Sequence, residues 1–208
     1  MLEIFLIRHG ETPLEGRYKG RLDVPLSGAG KKRMAKTARY LKLLMEGKKP
    51  GAIYSSDLSR AVESARIIAR TFGIKEVVQV PALRERDFGK WEGLHYSEIE
   101  KKFPRDFRLW MKDPVKNTPT KGESTEALKR RLLRGLMQVL KNHKDGERII
   151  IVSHGGSTRV LLCHFLGLPL RWIFRIGQDF GCVNVIELYG EKTPIIRLLN
   201  GRPLFEDR

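Results

Sequence analysis

The sequence predicts an α/β layered fold with a mainly parallel sheet. Short apolar runs alternate with amphipathic helical segments, the pattern of strand–helix–strand units. Two of those runs stop directly at Arg8-His9-Gly10 and His154-Gly155-Gly156, and ligands in such sheets gather beyond the carboxyl ends of strands. The 208 residues are 41% hydrophobic, enough to bury a core without staples and too apolar for a disordered chain.

Leu2–Ile7 reads as a buried strand. Ser27-Gly28-Ala29-Gly30 opens a helix reaching Met45, with Ala35, Ala38, Leu41 and Met45 on one face. Gly51–Ser55 is a second strand, closed by Ser56-Asp57. A helix then runs from Ser59 to Phe72, and Gly73 stops it. The β-branched stretch Glu76–Val80 predicts a strand. Turn chemistry fills 81–95. Pro104, Pro114 and Pro119 keep any helices in 96–122 short, and this segment is the best candidate for a cap or lid. Ser124 caps a long helix to about His143. Arg148–Val152 is the clearest strand, and another helix follows to about Leu166. Cys182–Leu188 and Ile195–Leu199 suit a closing hairpin. Without repeats or low-complexity stretches, residues 1–208 read as one domain.

Composition excludes several classes. No apolar run approaches the about 18–20 residues of a membrane span, and the N-terminus lacks a basic n-region and a cleavage site. Two cysteines, Cys163 and Cys182, make neither a disulfide framework nor a thiolate metal site, so a reducing cytoplasm is expected. No carboxylate cluster has metal-ligand spacing, and neither metal nor cofactor is expected. The net charge of +16 suits an anionic substrate, a nucleic-acid partner or a Lys/Arg-rich surface. The runs Lys31-Lys32-Arg33 and Lys129-Arg130-Arg131 with Arg134 read as solvated helix faces. RNA-reading aromatics, zinc-finger spacing and a basic zipper are all missing, which leaves a nucleic-acid module as the weaker alternative.

Four short elements carry chemistry. Arg8-His9-Gly10 combines a permanent planar cation, a side chain able to act as nucleophile, and a residue that admits close backbone approach. Ser56-Asp57-Leu58-Ser59-Arg60-Ala61 places Arg60 in the first turn of a helix. Glu85, ahead of Phe88-Gly89-Lys90-Trp91-Glu92-Gly93, offers an acid in a turn. His154 is the fourth. Two Arg, two His and one acid are what phosphoryl transfer requires: cations, a nucleophile and a proton source.

In this order the motifs resemble the histidine phosphatase superfamily, which includes the phosphoglycerate mutases. The resemblance implies a three-layer α/β/α, phosphoglycerate mutase-like fold. It implies His9 as the nucleophile that becomes phosphorylated, Arg8, Arg60, His154 and Gly155 around the phosphate, and Glu85 as proton donor. The position where many relatives carry Asn is Glu15 here, and that role is not carried over.

Three further stretches narrow the resemblance: Gly16 to Ser27; Trp110 with Pro119 to Ser124; and Trp172 to Asn184. They are similar to the α-ribazole-5′-phosphate phosphatase branch, which acts in cobalamin nucleotide-loop assembly. They are similar more loosely to broad-specificity and metal-independent phosphoserine phosphatases. The interval from Glu85 to His154 is shorter than in the mutases of this family, which favours hydrolysis of the intermediate. Tyr18, Lys19, Arg86 and Trp110 are candidate substrate contacts: aromatic rings for a nucleoside-like group, cations for a second negative charge. Phe88 and Trp91 share the aromatic role or pack the core. The expected partner is a small phosphorylated metabolite, without nucleic acid or membrane, and a homodimer is left open. A catalytically dead scaffold is disfavoured because all five catalytic positions are intact.

Overall fold

A computed structural model describes residues 1–190 and 193–203. The strands are β1 (Leu2–Arg8), β2 (Ala52–Ser55), β3 (Val78–Gln79), β4 (Arg148–Ser153), β5 (Val183–Tyr189) and β6 (Thr193–Gly201). The helices are α1 (Gly28–Leu44), α2 (Ser59–Phe72), α3 (Tyr96–Lys102), α4 (Pro104–Lys112), α5 (Thr125–Leu140) and α6 (Gly155–Phe165). One mixed sheet has the order β3-β2-β4-β1-β5-β6. Strands β1 to β4 pair in parallel, and the β5–β6 hairpin closes one edge antiparallel to β1.

The continuous apolar runs of β1 and β4 follow from burial on both faces. Ile4, Leu6, Ile149 and Ile151 join Leu132, Leu136 and Leu161 of α5 and α6 in one core. The alternate residues Phe5, Ile7, Ile150 and Val152 join Met34, Ala38, Leu41, Ala65 and Ile68 of α1 and α2 in the other. Period-two alternation thus splits each strand between two helical layers. A third, smaller cluster gathers Trp91, Ile99, Phe107 and Trp110 around α3 and α4.

Cap chemistry sets the helix ends. Ser27 and Ser124 accept from Gly30 N and Ala127 N at 3.0 and 3.1 Å. Gly73 ends α2 with φ 66°, a left-handed value that favours glycine.

Four expectations need correction. Ala35 is exposed, and the inward face of α1 is Met34, Thr37, Ala38 and Leu41, because the helix registers on Met34. Only the exposed pair Val78–Gln79 of 76–80 joins the sheet, since β2 offers it just two partners. Helix α5 stops at Leu140, and His143 instead bonds Tyr54 and Glu147. Lys31, Lys32 and Arg33 are exposed as expected, but Arg131 is not a solvated charge: its side chain is 15% exposed and fully hydrogen-bonded. Among the described residues no helix is long and apolar enough to cross a membrane.

The turn after β1 lies backbone-to-backbone on the first turn of α1. A Cβ on Gly10 would sit 2.7 Å from the Gly30 carbonyl oxygen, and one on Gly30 would fall on the Glu11 carbonyl. Ser27 N donates to that Glu11 carbonyl at 2.9 Å. Gly30→Ala is therefore expected to cost about 1–3 kcal/mol, as overpacking does. Gly28→Ala, with nothing within 4 Å of the added carbon, should be near neutral. Thermal melts check this: Gly30→Ala should lower Tm by several degrees and Gly28→Ala should not.

Candidate active site

Three parallel strands end together and deliver the first site residues. Arg8 lies opposite Ser153 in the β1–β4 register, so His9 and His154 leave the sheet as neighbours. Ser55 lies opposite Val152, so Ser56 follows on the other side of β4. The backbone holds the step: His9 N donates to the Ser153 carbonyl and Ser56 N to the Val152 carbonyl, each at 3.0 Å. The two imidazole centroids are 5.1 Å apart, edge to face.

The tautomer of His9 follows from its partners. Nδ1 is 2.6 Å from the Gly10 carbonyl, which only accepts, so Nδ1 carries the proton. Arg60 Nε donates to Nε2 at 3.3 Å, so Nε2 holds a lone pair. Burial, then Arg60, then Arg8 hold the His9 pKa well below 6.5. His154 is shifted the same way, by burial first and then by Arg60, His9 and Arg8. Its Nε2 bonds Ser56 Oγ at 2.8 Å, while Nδ1 is buried without a partner among the described residues. Two neutral imidazoles thus stand among permanent cations.

Arg60 enters from the first turn of α2. Its terminal nitrogens donate to the Leu22 and Gly20 carbonyls at 2.9 and 2.6 Å, so it also anchors the loop that walls the cleft. Arg8 donates to the Gln178 carbonyl at 2.6 Å, and its buried Nε lacks a partner among the described residues. The Phe180 ring lies under the Arg8 guanidinium at 3.7 Å and its centroid is 5.7 Å from that of His9.

Glu85 lies against the N-terminus of α6. Its carboxylate accepts from Gly156 N, Ser157 N and Ser157 Oγ at 2.9, 3.0 and 3.2 Å, and from Arg86 N at 2.9 Å. The glycines after His154 have separate reasons. A Cβ on Gly155 would press on Arg8 Nε at 3.1 Å, and one on Gly156 would meet Glu85 Oε1 at 2.6 Å.

Arg8, His9, Arg60, Glu85 and Gly155 line one open cleft of about 220 Å³, with Tyr18, Lys19, Phe88 and Phe180. A second cavity adjoins it, sharing Arg8, Tyr18, Glu85, Phe88 and Gly155 and adding Trp110, Leu128, Arg159, Ile173 and Phe174. Glu85 therefore stands at the junction. His154 lies behind the wall, fully buried. Tyr18 packs edge-on against Phe88 and Trp110, with centroids 4.9 and 5.9 Å away. Trp91 is fully buried core. Burial, Arg60 and Arg8 lower the Lys19 pKa, as a cation facing cations requires.

Arg86 lines the second cavity and also braces a loop: its three nitrogens donate to the Glu123, Pro114 and Asn117 carbonyls at 2.8, 3.1 and 3.4 Å. Glu15 is exposed, outside the residues lining either cavity. Cys182 is buried, donates to Gln178 Oε1 at 3.3 Å, and burial pushes its thiol up to about 11. Sequence reasoning missed Ser56, Arg159 and Phe180 as members of the site. Arg159 had a signal, since it follows Gly155 by one helical turn and so faces the same way. Phe180 had none.

A sequence profile of the histidine phosphatase superfamily (branch 1) matches residues 4–201. A metal-independent phosphoserine phosphatase of Arabidopsis thaliana is 38% identical over 194 residues, spanning 91% of this chain and 78% of the relative. An adenosylcobalamin/α-ribazole phosphatase of Escherichia coli (strain K12) is 30% identical over 207 residues, spanning 98% of each. The crystal structure of the α-ribazole phosphatase from Shigella flexneri matches with a TM-score of 0.85 at 27% identity, over 99% of this chain and 100% of that one. The sheet with its flanking helices is accordingly the phosphoglycerate mutase-like fold that the motifs implied. From Ile4 to Gly201 this chain belongs to the histidine phosphatase superfamily, branch 1.

Proposed function

We propose that the protein hydrolyses small phosphate monoesters through a phosphohistidine at His9, with α-ribazole 5′-phosphate as its substrate. The observation that carries the reading is the His9 Nε2 lone pair: neutral, hydrogen-bonded by Arg60, beside Arg8, in a cleft whose lining acid is Glu85.

Nε2 attacks phosphorus in line while Arg8 and Arg60, which line the cleft, balance the charge on the phosphoryl oxygens, with the buried His154 behind them. The P–O bond to the alcohol breaks, and the departing oxygen takes a proton from the Glu85 carboxyl. Nδ1 keeps its hydrogen bond to Gly10 and steadies the phosphoimidazolium. Water then attacks phosphorus and gives a proton to the Glu85 carboxylate. The P–N bond breaks, phosphate leaves, and both groups are restored.

The leaving alcohol beside Glu85 extends into the second cavity, because Glu85 lines both. Its walls are Tyr18, Phe88, Trp110, Leu128, Ile173 and Phe174, a surface suited to an aromatic base. The segment 96–122, which carries Trp110, acts as the cap over that group. One observation favours a phosphoserine substrate instead. The terminal nitrogens of Arg159 have no hydrogen-bond partner among the described residues and border the same cavity, where they would hold a carboxylate. We place the reaction in the cytoplasm, where the two buried free cysteines stay reduced.

Phosphate release in EDTA from α-ribazole 5′-phosphate, phosphoserine, 3-phosphoglycerate and fructose 2,6-bisphosphate tests the reading. The ribazole ester should be preferred, and His9→Ala should lower its turnover by at least about 10³-fold. Preference for phosphoserine, lost in Arg159→Met, would establish the second reading; no release from any ester would sink both. Trp110→Ala should raise KM for the ribazole ester roughly 2–10-fold, the worth of one aromatic contact, with little change for phosphoserine. The pH profile has a defined sign. His9 stays neutral as pH falls through 6.5, so half-loss of kcat/KM on the acid side should lie below pH 6.5. Half-loss at or above that value, persisting when the substrate's own titration is factored out, would contradict a neutral nucleophile.

A further inference from the structure

Glu85 is held from behind by a group outside the cleft. Arg131, on the second turn of α5, donates through Nη1 to the Ala82 and Arg84 carbonyls at 2.8 and 3.0 Å, and through Nη2 to the Glu85 carbonyl at 3.1 Å. Nε and Nη2 also grip both oxygens of Glu123, at 2.9 and 2.7 Å. Every nitrogen of one guanidinium is thus used, three of its bonds on the stretch of main chain that carries the acid. Glu123 extends the grip: its N–H donates to the Asp87 carbonyl at 2.8 Å, and its own carbonyl accepts from Arg86 Nε.

The pair is poorly explained as a stabilising device. The Arg131 and Glu123 side chains are 15% and 11% exposed, and for pairs so buried desolvation roughly cancels attraction. What the arrangement does supply is direction. The planar fork fixes the carbonyls of 82, 84 and 85 relative to α5, and the amides of Gly156 and Ser157 fix the carboxylate relative to α6. A shift of the main chain at Glu85 would break one set or the other.

We propose that Arg131, locked by Glu123, is the positioning residue of the proton donor: it sets where the Glu85 carboxyl stands relative to the leaving oxygen. The inference rests on the reading of Glu85 as that donor. A misplacement of about 1 Å at a catalytic group costs on the order of 10²-fold. The loss must appear where a proton is needed and vanish where it is not.

Two leaving groups make the test. Alkyl esters, phosphoserine or α-ribazole 5′-phosphate, expel an alkoxide that needs the proton; p-nitrophenyl phosphate expels a stable phenolate that does not. Single-turnover rates of alcohol or p-nitrophenol release are measured for wild type, Arg131→Met, Glu123→Gln, Glu85→Gln and Arg131→Met with Glu85→Gln. Arg131→Met should slow alkyl ester cleavage about 10- to 100-fold and p-nitrophenol release less than about 3-fold. The double variant should be no slower than Glu85→Gln alone, because both act on one proton transfer. Glu123→Gln, which keeps the shape and removes the charge, should give the same selectivity at smaller size, and it serves if Arg131→Met does not fold. If Glu85→Gln is selective but the Arg131 and Glu123 variants slow both esters equally, or neither, the positioning role is overturned. If Glu85→Gln itself slows both esters equally, the donor assignment falls, and the inference with it.

Discussion

Parallel pairing of β1 with β4 sets Arg8 opposite Ser153, and the cleft is built outward from that register. A slip of one residue would turn each strand over and bury a different face. It would also separate His9 from His154, which neighbour each other because each is the first residue past a paired end. The burial of Ile4 and Leu6 on one face and Phe5 and Ile7 on the other holds the register. The hydrophobic core is therefore the reason two distant histidines stand side by side, one in the cleft and one behind its wall.

Charge is the second constraint. Arg8 and Arg60 place permanent cations around His9, and unit charges about 4 Å apart interact by about 4 kcal/mol at an effective dielectric of ~20. A proton on either imidazole would add to that repulsion in a buried setting, so both stay neutral. The field that expels a proton attracts a phosphate dianion. One arrangement thereby keeps the nucleophile free and fills the cleft with its substrate. The net charge of +16 draws anions toward the same chain.

The acid is treated differently from the cations. Glu85 has its carboxylate on the amides at the start of α6, and its main chain is gripped by Arg131 from α5. Both helices belong to the same layer and share one core, so the two grips stand on one packed support. The aromatic cluster of Trp91, Phe107 and Trp110 packs on Tyr18 and Phe88, which line both cavities, and Trp110 itself lines the second. The cluster thereby joins the phosphate side to the pocket for the alcohol.

Most of the fold could be read from local pattern, because strand runs, helix periodicity, Ser27, Ser124 and Gly73 act within a few residues of themselves. The motif residues Arg8, His9, Arg60, Glu85 and His154 were legible for a related reason: each sits at a strand or helix end, where side chains converge on one edge of the sheet. Arg131 was not legible. It follows two other basic residues and flanks the apolar stripe of Leu128, Leu132 and Leu136, a position equally suited to water or to a buried partner. The bracing role of Arg86 was illegible for the same reason, since its acceptors are backbone carbonyls of residues 114 to 123. A main-chain carbonyl leaves no trace in residue identity, and Phe180 reaches Arg8 only because β5 pairs with β1. The sequence by itself determined the layered architecture and the groups that meet phosphate. Only the tertiary structure decided what those groups lean on, because such contacts join backbone atoms and side chains that no local spacing relates.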